Sequence, residues 1–310
     1  MHWKTKARLQ SLVAMFPGFA KYPIYYWLQK NFGALGNIDV RFELDKAAEI
    51  MALIEAQGRN ALDRSFFEVG TGRTVNTEIG LWLCGAGSIT AVDLNPYLAK
   101  ELVEKSVRWL QANPEEIEAA FAHLNLNREE FNKRSQALKQ VPADMEAVLN
   151  LINLRYLAPC DAANMDMEDG VIDYHISTNV LEHVPAEDIK RILFEAKRLL
   201  KDDGLLVHRV DPSDHFAHSD PGISSTNFLR FSQQQWDKLS NNTFSYHNRL
   251  RVVDFYKLFT ECGVEVLEKI ERIDERSLDE LQGGFPIHEE FKNYSNQELA
   301  TTFFAFTGKF

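Results

Sequence analysis

Cysteine is scarce in this chain: Cys84, Cys160 and Cys262 are the only three among 310 residues, far apart and in no ligand or disulfide spacing. An odd count with apolar neighbours excludes a disulfide framework and fits buried thiols in a reducing compartment, so a cytoplasmic location is expected. Long apolar runs are missing too, and no stretch reaches the length a bilayer span needs. Lys4, Lys6 and Arg8 precede an apolar run, but Pro17-Gly18 cuts it short without a small-residue cleavage site, so no export signal is expected. Basic residues are outnumbered 34 to 45 by acidic ones, and the net charge of -11 argues against nucleic acid as the substrate. With 45% hydrophobic residues and no low-complexity tract, the length suits one α/β domain plus an elaboration.

What is present centres on Phe66 to Pro96. A short apolar run, Phe66-Phe67 and Val69, carries Glu68 and meets the glycines Gly70 and Gly72 at once. An amphipathic segment with Ile79, Leu81, Trp82 and Leu83 follows, then a second apolar run, Ser88 to Val92, that ends on Asp93. This is a strand–turn–helix–strand pattern. Such a turn presents backbone N–H groups and a side-chain-free concavity to a nucleotide-like ligand. An acid about 20 residues on, at the next strand tip, is placed to accept from ribose hydroxyls, and Asp93 follows Gly72 by 21 residues. A dinucleotide loop would need glycine at position 75, where Val75 stands. Glu68, Gly70 and Gly72 instead fit an acidic-x-G-x-G loop, with Thr74 in place of a further glycine, and a carboxylate there suits a cationic ligand better than a diphosphate.

These residues resemble the class I S-adenosylmethionine (SAM)-dependent methyltransferases, of the type-11-like kind. The resemblance implies a Rossmann-like, doubly wound α/β fold with a seven-stranded sheet and a C-terminal antiparallel hairpin, and SAM as cofactor. Later segments keep the order: a short strand over 153–160 before Asp161-Ala162, a buried strand over 172–177 before Ser177-Thr178-Asn179, a helix over 189–200 closed by Lys201-Asp202-Asp203-Gly204, with Gly204 placed for a C-cap, and a fifth strand over 205–210. In the family the third strand ends in an acidic-Ala pair that contacts the adenine, which implies that role for Asp161 and Ala162. Asn179 is expected near the methionine end of SAM. Glu68, Gly70, Thr71, Gly72, Asp93, Leu94, Asp161, Ala162 and Asn179 form the candidate cofactor set. His183, among Val180, Leu181 and Val184, reads as a hydrogen-bonded structural histidine.

Two elaborations frame this core. Residues 1–60 read as an N-terminal helical cover or lid, with Leu9, Leu12, Val13 and Phe16 spaced for one face, an aromatic segment over Tyr22–Trp27 and a helix over 44–57. The resemblance implies a methyltransferase domain over residues 61–310, in which 97–152 read as a helical insertion after strand 2, since a crossover needs only about a dozen residues. Surface helices there could cap the cofactor, recognise the acceptor or make a homodimer.

Candidate chemistry lies within 211–250. His208 to Asp220 gathers three of the nine histidines and three aspartates just past the fifth strand. Methyl transfer to a hydroxyl needs alignment and a proton acceptor. His215 or His218 is the candidate base, with Asp211 or Asp214 as its partner. Metal binding is the rival for these side chains, but their spacing matches no metal signature, and no metal is expected. Phe228, Arg230, Phe231, Trp236, Tyr246, Asn248, Arg249 and Arg251 interleave rings with planar polar groups, as a sugar acceptor would require, or equally as packing residues. The 211–220 run with the segments after it looks similar to methyltransferases of bacterial surface glycans. The expected function is SAM-dependent methylation of a hydroxyl on a sugar, glycan or similar small polar acceptor. The alternatives are a non-catalytic scaffold on the same fold and an NAD-dependent oxidoreductase.

Overall fold

The computed structural model describes residues 1–36 and 38–310. Three helices open the chain, α1 (Trp3–Ala14), α2 (Gly18–Phe32) and α3 (Val40–Ala56), followed by β1 (Ser65–Val69), α4 (Asn76–Leu83) and β2 (Ser88–Val92). Four helices come next, α5 (Lys100–Ala112), α6 (Pro114–Phe121), α7 (Arg128–Gln140) and α8 (Met145–Leu151), before β3 (Leu154–Leu157), β4 (Ile172–Thr178), α9 (Ala186–Leu199) and β5 (Leu200–Val210). The last part comprises α10 (Gln233–Ser240), α11 (Val252–Glu261), β6 (Glu265–Ile273), α12 (Glu275–Gln282), α13 (Asn296–Ala300) and β7 (Thr301–Lys309). The seven strands form one sheet in the order β3-β2-β1-β4-β5-β7-β6. All neighbours are parallel except β7, which runs antiparallel to both β5 and β6.

The central strands read as near-continuous apolar runs because helices cover both their faces. Phe66 enters one core with Leu44, Ile50, Ile79 and Phe121, whereas Phe67, on the opposite pleat, enters the other with Leu181, Ile189, Phe255 and Phe306. Each such ring contributes about 1.5–3 kcal/mol by burial. The helices between β2 and β3 belong to the first core: Val103, Val107, Phe121, Phe131 and Leu138 pack there with α3 and α4. A Cβ on Gly80 of α4 would lie 2.5 Å from Ala47 of α3 and 3.1 Å from Phe121, so this glycine permits the close helix approach.

Several sequence-based expectations change. The buried face of α1 is Trp3, Ala7, Gln10 and Val13, whereas Leu9, Leu12 and Phe16 are exposed. The cause is Trp3, which packs with Phe216 and Trp236 in a third, smaller core and sets the helix rotation. The aromatic segment Tyr22–Trp27 is helical, inside α2. Gly204 is no C-cap: α9 passes directly into β5 at Leu200, which pairs with Ile172, so Gly204 lies within the strand. Phe228, Trp236, Arg249 and Arg251 are buried packing residues and offer no stacking face to a sugar. Arg249 donates to the carbonyls of Phe228 and Phe231, and its guanidinium lies 5.1 Å from the Phe291 ring.

Candidate active site

In an open α/β sheet a ligand binds outside the strand C-termini where the strand order reverses. Here that point lies between β1 and β4, because β1 is followed outward by β2 and β4 by β5. Two adjoining cavities of about 620 and 500 Å³ open there, sharing Gly70, Asp93, Tyr97, Val180 and His183 as wall. Thr71, Gly72, Thr178 and Asn179 line the first, and Leu94, Cys160, Asp161 and Ala162 the second.

Gly70 turns the chain out of β1 with φ +83°, a left-handed conformation that favours glycine. A Cβ on it would lie 2.4 Å from Val180 Cγ2, so the turn after β1 packs against the turn after β4 only without a side chain. Gly72 also has positive φ, +77°, but a Cβ there would meet open space. Asn179 is left-handed as well, φ 57°, held by its N–H on the Arg209 carbonyl at 2.9 Å and by Arg209 Nη1 on its Oδ1 at 3.4 Å. Arg209 is in turn anchored on Glu49 of α3 at 2.5 Å.

Asp93 is buried, and its Oδ2 accepts from the Gly72 N–H at 3.1 Å and from the Tyr156 hydroxyl at 2.9 Å. Oδ1 accepts from no described residue, and Asp93 lines both cavities. Burial raises the Asp93 carboxyl to about 6, against the pull of Tyr156 and the Gly72 N–H. Asp161 accepts from Arg191 at 3.1 Å and from the Ala163 N–H at 3.0 Å.

Glu68 does not line the cleft. It lies on β1, fully buried beneath the glycine turn and beside Glu78 of α4. Burial raises both carboxyls; Glu68 raises Glu78 further, whereas the hydrogen bond from Glu78 pulls Glu68 back down. Direct contact of Glu68 with a ligand amino group is therefore not offered by this arrangement; the pair sits under the floor of the turn.

The loop after β5 brings Asp211, His215 and His218 together. Asp211 Oδ2 lies 3.5 Å from Nε2 of both histidines, while Oδ1 accepts from Ser213 N–H at 3.0 Å and from its hydroxyl. Burial opposes charge on both partners, yet Asp211 and, behind it, Glu182 and Asp214 raise the His215 ring above its ordinary value. The Asp211 carboxyl is likewise held well below its usual range by His215, Ser213 and His218, despite burial. Asp214 is used otherwise: its two oxygens accept from the Phe216 N–H at 2.9 Å and from Asn227 at 3.0 Å, which fixes the loop. His208 points into the core between Ser177 Oγ, 2.7 Å away, and His175.

The structure adds His183 and His247 to this group. Their ring centroids lie 4.9 and 4.1 Å from that of His215. His183 does make a hydrogen bond, from Nδ1 to the Tyr246 carbonyl at 3.0 Å, but its ring also lines both cavities. Asn248 joins the two segments by donating to the carbonyls of Leu181 and Val184 at 2.7 and 2.9 Å. The N-terminal helices hold the loop from outside: Trp3 N–H donates to Asp220 at 2.8 Å and Lys6 Nζ to Ser219 at 2.9 Å.

The sheet order and the glycine turn opposite Asp93 are those of the Rossmann-like α/β fold of class I methyltransferases. The family described as "Methyltransferase domain" matches residues 124–208, which run from the end of the α6 region to β5. None of the curated proteins matches the chain. Among solved structures, the chain is similar to geranyl diphosphate C-methyltransferase from Streptomyces coelicolor, at 11% identity over 85% of this chain and 79% of that one, TM-score 0.46. It is also similar to a SAM-dependent methyltransferase from Methanosarcina mazei, at 15% identity over 79% and 92%, TM-score 0.39. A third is the cyclase SpnF, at 13% identity over 87% and 80%, TM-score 0.44. Among the described residues no helix is long and apolar enough to cross a membrane.

Proposed function

We propose that this chain transfers the methyl group of SAM to a hydroxyl-bearing acceptor at the His215–Asp211 pair. The observation that carries the reading is convergence: the free Asp93 oxygen, the Gly70–Gly72 turn and Asn179 reach one cleft from three strand tips, and His183 at its wall touches the His215 cluster. The cleft fits the cofactor, because Gly72 leaves the backbone bare towards open space and Asp93 keeps an acceptor for ribose hydroxyls. Bound there, SAM supplies an electrophilic methyl group: the acceptor oxygen bonds to the methyl carbon as the carbon–sulfur bond breaks and the electron pair stays on sulfur. Asp93 and the glycine turn hold the ribose side, and Asp161 with Ala162 takes the adenine side. The acceptor proton passes to the Asp211-paired histidines, with Asp211 stabilising the cationic ring.

A small polar acceptor, such as a sugar hydroxyl, suits the polar rim that His183, His215 and His218 provide. A second reading of the acceptor is favoured by a chamber of about 610 Å³ between α1 and α2, lined by Leu9, Val13, Tyr25, Leu28 and Phe32, with His218 in its wall. It suits an acceptor with an apolar body and a single polar head. The test is incubation with methyl-labelled SAM and two acceptor pools, one of nucleotide sugars and glycans, one of hydroxylated lipids and isoprenoids. Label should appear in one pool with wild type and be lost with Asp93→Ala; no label in either pool contradicts methyl transfer.

A further inference from the structure

We propose that His183, His215 and His247 hold one divalent transition-metal ion, zinc by ligand type, at the acceptor end of the cofactor cleft. Three segments far apart in sequence each contribute one imidazole, and one ring nitrogen from each lies within 4.8 Å of the others. A cation at their centre would lie at most about 2.8 Å from each, so every ring closes by less than roughly 1 Å to reach the usual 2.0–2.1 Å Zn–N distance.

Tautomers point the same way. Nδ1 of His183 donates to the Tyr246 carbonyl and Nδ1 of His247 to the Ser245 carbonyl, both at 3.0 Å. Backbone carbonyls that take the Nδ1 proton are the usual outer support of a metal-bound histidine, and they leave Nε2 as the lone-pair nitrogen. His247 Nε2 is buried and finds no hydrogen-bond partner among the described residues, and His215 Nε2, also buried, faces only the Asp211 carboxylate at 3.5 Å. An orphaned buried nitrogen is costly, and one that faces two further imidazoles is what an ion would relieve. Charge is also provided. Asp211 Oδ2 stands 3.5 Å from His215, and Glu182, next to His183 and 1% exposed, has both carboxylate oxygens without a partner. Imidazoles with one or two carboxylates suit zinc, iron, cobalt or nickel, not calcium or magnesium.

Three protein ligands leave a coordination position open, and an ion so held lowers the pKa of a bound hydroxyl. What the ion does there rests on the methyl-transfer reading: the acceptor oxygen would bind the ion, His215 would then act as a ligand in place of a proton acceptor, and the proton would pass to His218, which also faces Asp211. The binding of the ion itself does not depend on that reading.

The full chain, stripped with a chelator, is titrated with Co²⁺ and then Zn²⁺, with SAM titrated in parallel. One Co²⁺ per chain, visible d–d absorption and displacement by Zn²⁺ are expected. His247→Ala should weaken Co²⁺ binding by roughly 100-fold or more, while His288→Ala leaves it unchanged. Should His247→Ala fail to fold by circular dichroism, His183→Ala at the exposed rim replaces it. No stoichiometric Co²⁺ on the wild-type chain, or unchanged binding in the folded variant, overturns the metal site. SAM binding without any ion site would leave methyl transfer standing, whereas an ion site without SAM binding would leave the ion and remove methyl transfer.

Discussion

Tyr156 donates its hydroxyl to Asp93 Oδ2 at 2.9 Å, from the strand next to the one Asp93 terminates. With the Gly72 N–H on the same oxygen at 3.1 Å, this fixes the carboxylate so that only Oδ1 is left for a ligand. Asp93→Ala should therefore weaken SAM binding by about 10- to 150-fold, the worth of hydrogen bonds to a charged group. Tyr156→Phe should cost only about 2- to 10-fold, since it loosens the acid without removing it. Calorimetry giving equal losses for the two would place the ribose elsewhere.

The same carboxyl sets a pH dependence. Burial raises it to about 6, and its ionised form is the one that accepts from hydroxyls, so SAM affinity should fall as pH drops through about 6. Tyr156 pulls that value down, so in Tyr156→Phe the midpoint should move to higher pH. A flat affinity from pH 5 to about 8 would show that Asp93 does not titrate against the ligand.

Gly70→Ala should lower both stability and SAM affinity. The left-handed conformation costs a Cβ roughly 1–2 kcal/mol. The approach of 2.4 Å to Val180 adds a clash that the strain alone does not contain. Adding Val180→Ala should recover part of the loss in a denaturant titration, whereas a double variant no better than Gly70→Ala would rule out the contact.

Glu68 and Glu78 make stability depend on pH in the opposite sense to a salt-bridged acid. Both are raised in the folded chain by burial, so the folded state keeps protons that the unfolded state releases. Their contribution to stability is present at pH values below the ordinary carboxylate range and is lost as pH rises through the raised values. Glu78→Gln should stabilise the protein more at about pH 8 than at about pH 5 by urea denaturation. A larger gain at the lower pH would contradict the buried pair.

For the chemistry, His215→Ala should lower turnover by about 100-fold or more, as loss of a positioned proton acceptor or of a ligand to the activating ion does, with SAM affinity within about twofold of wild type. Turnover like wild type would remove His215 from the reaction.

The succession of strands and the glycine turn with an acid at the next strand tip were legible because they are local: an apolar run, two glycines and an acid at fixed spacing; the order of the strands within the sheet was carried by the resemblance alone. Asp211 with His215 and His218 was legible for the same reason, lying within eight residues of one another. His247 was not, since it reaches His215 only because Asn248 ties its segment to the turn after β4. Glu68 was assigned to the ligand from its place in the loop pattern, but on β1 its side chain points to the core with Glu78. The ring-and-arginine segments misled because composition is the same for a sugar platform and for a buried arginine stacked on Phe228 or Phe291. Packing partners distant in sequence decide between them.

The most direct test is calorimetric titration of the purified chain with SAM and, separately, S-adenosylhomocysteine. A single site of micromolar affinity for both, lost together in Asp93→Ala, is the result this account predicts. Failure of the wild-type chain to bind either would contradict it and leave a scaffold on a methyltransferase fold.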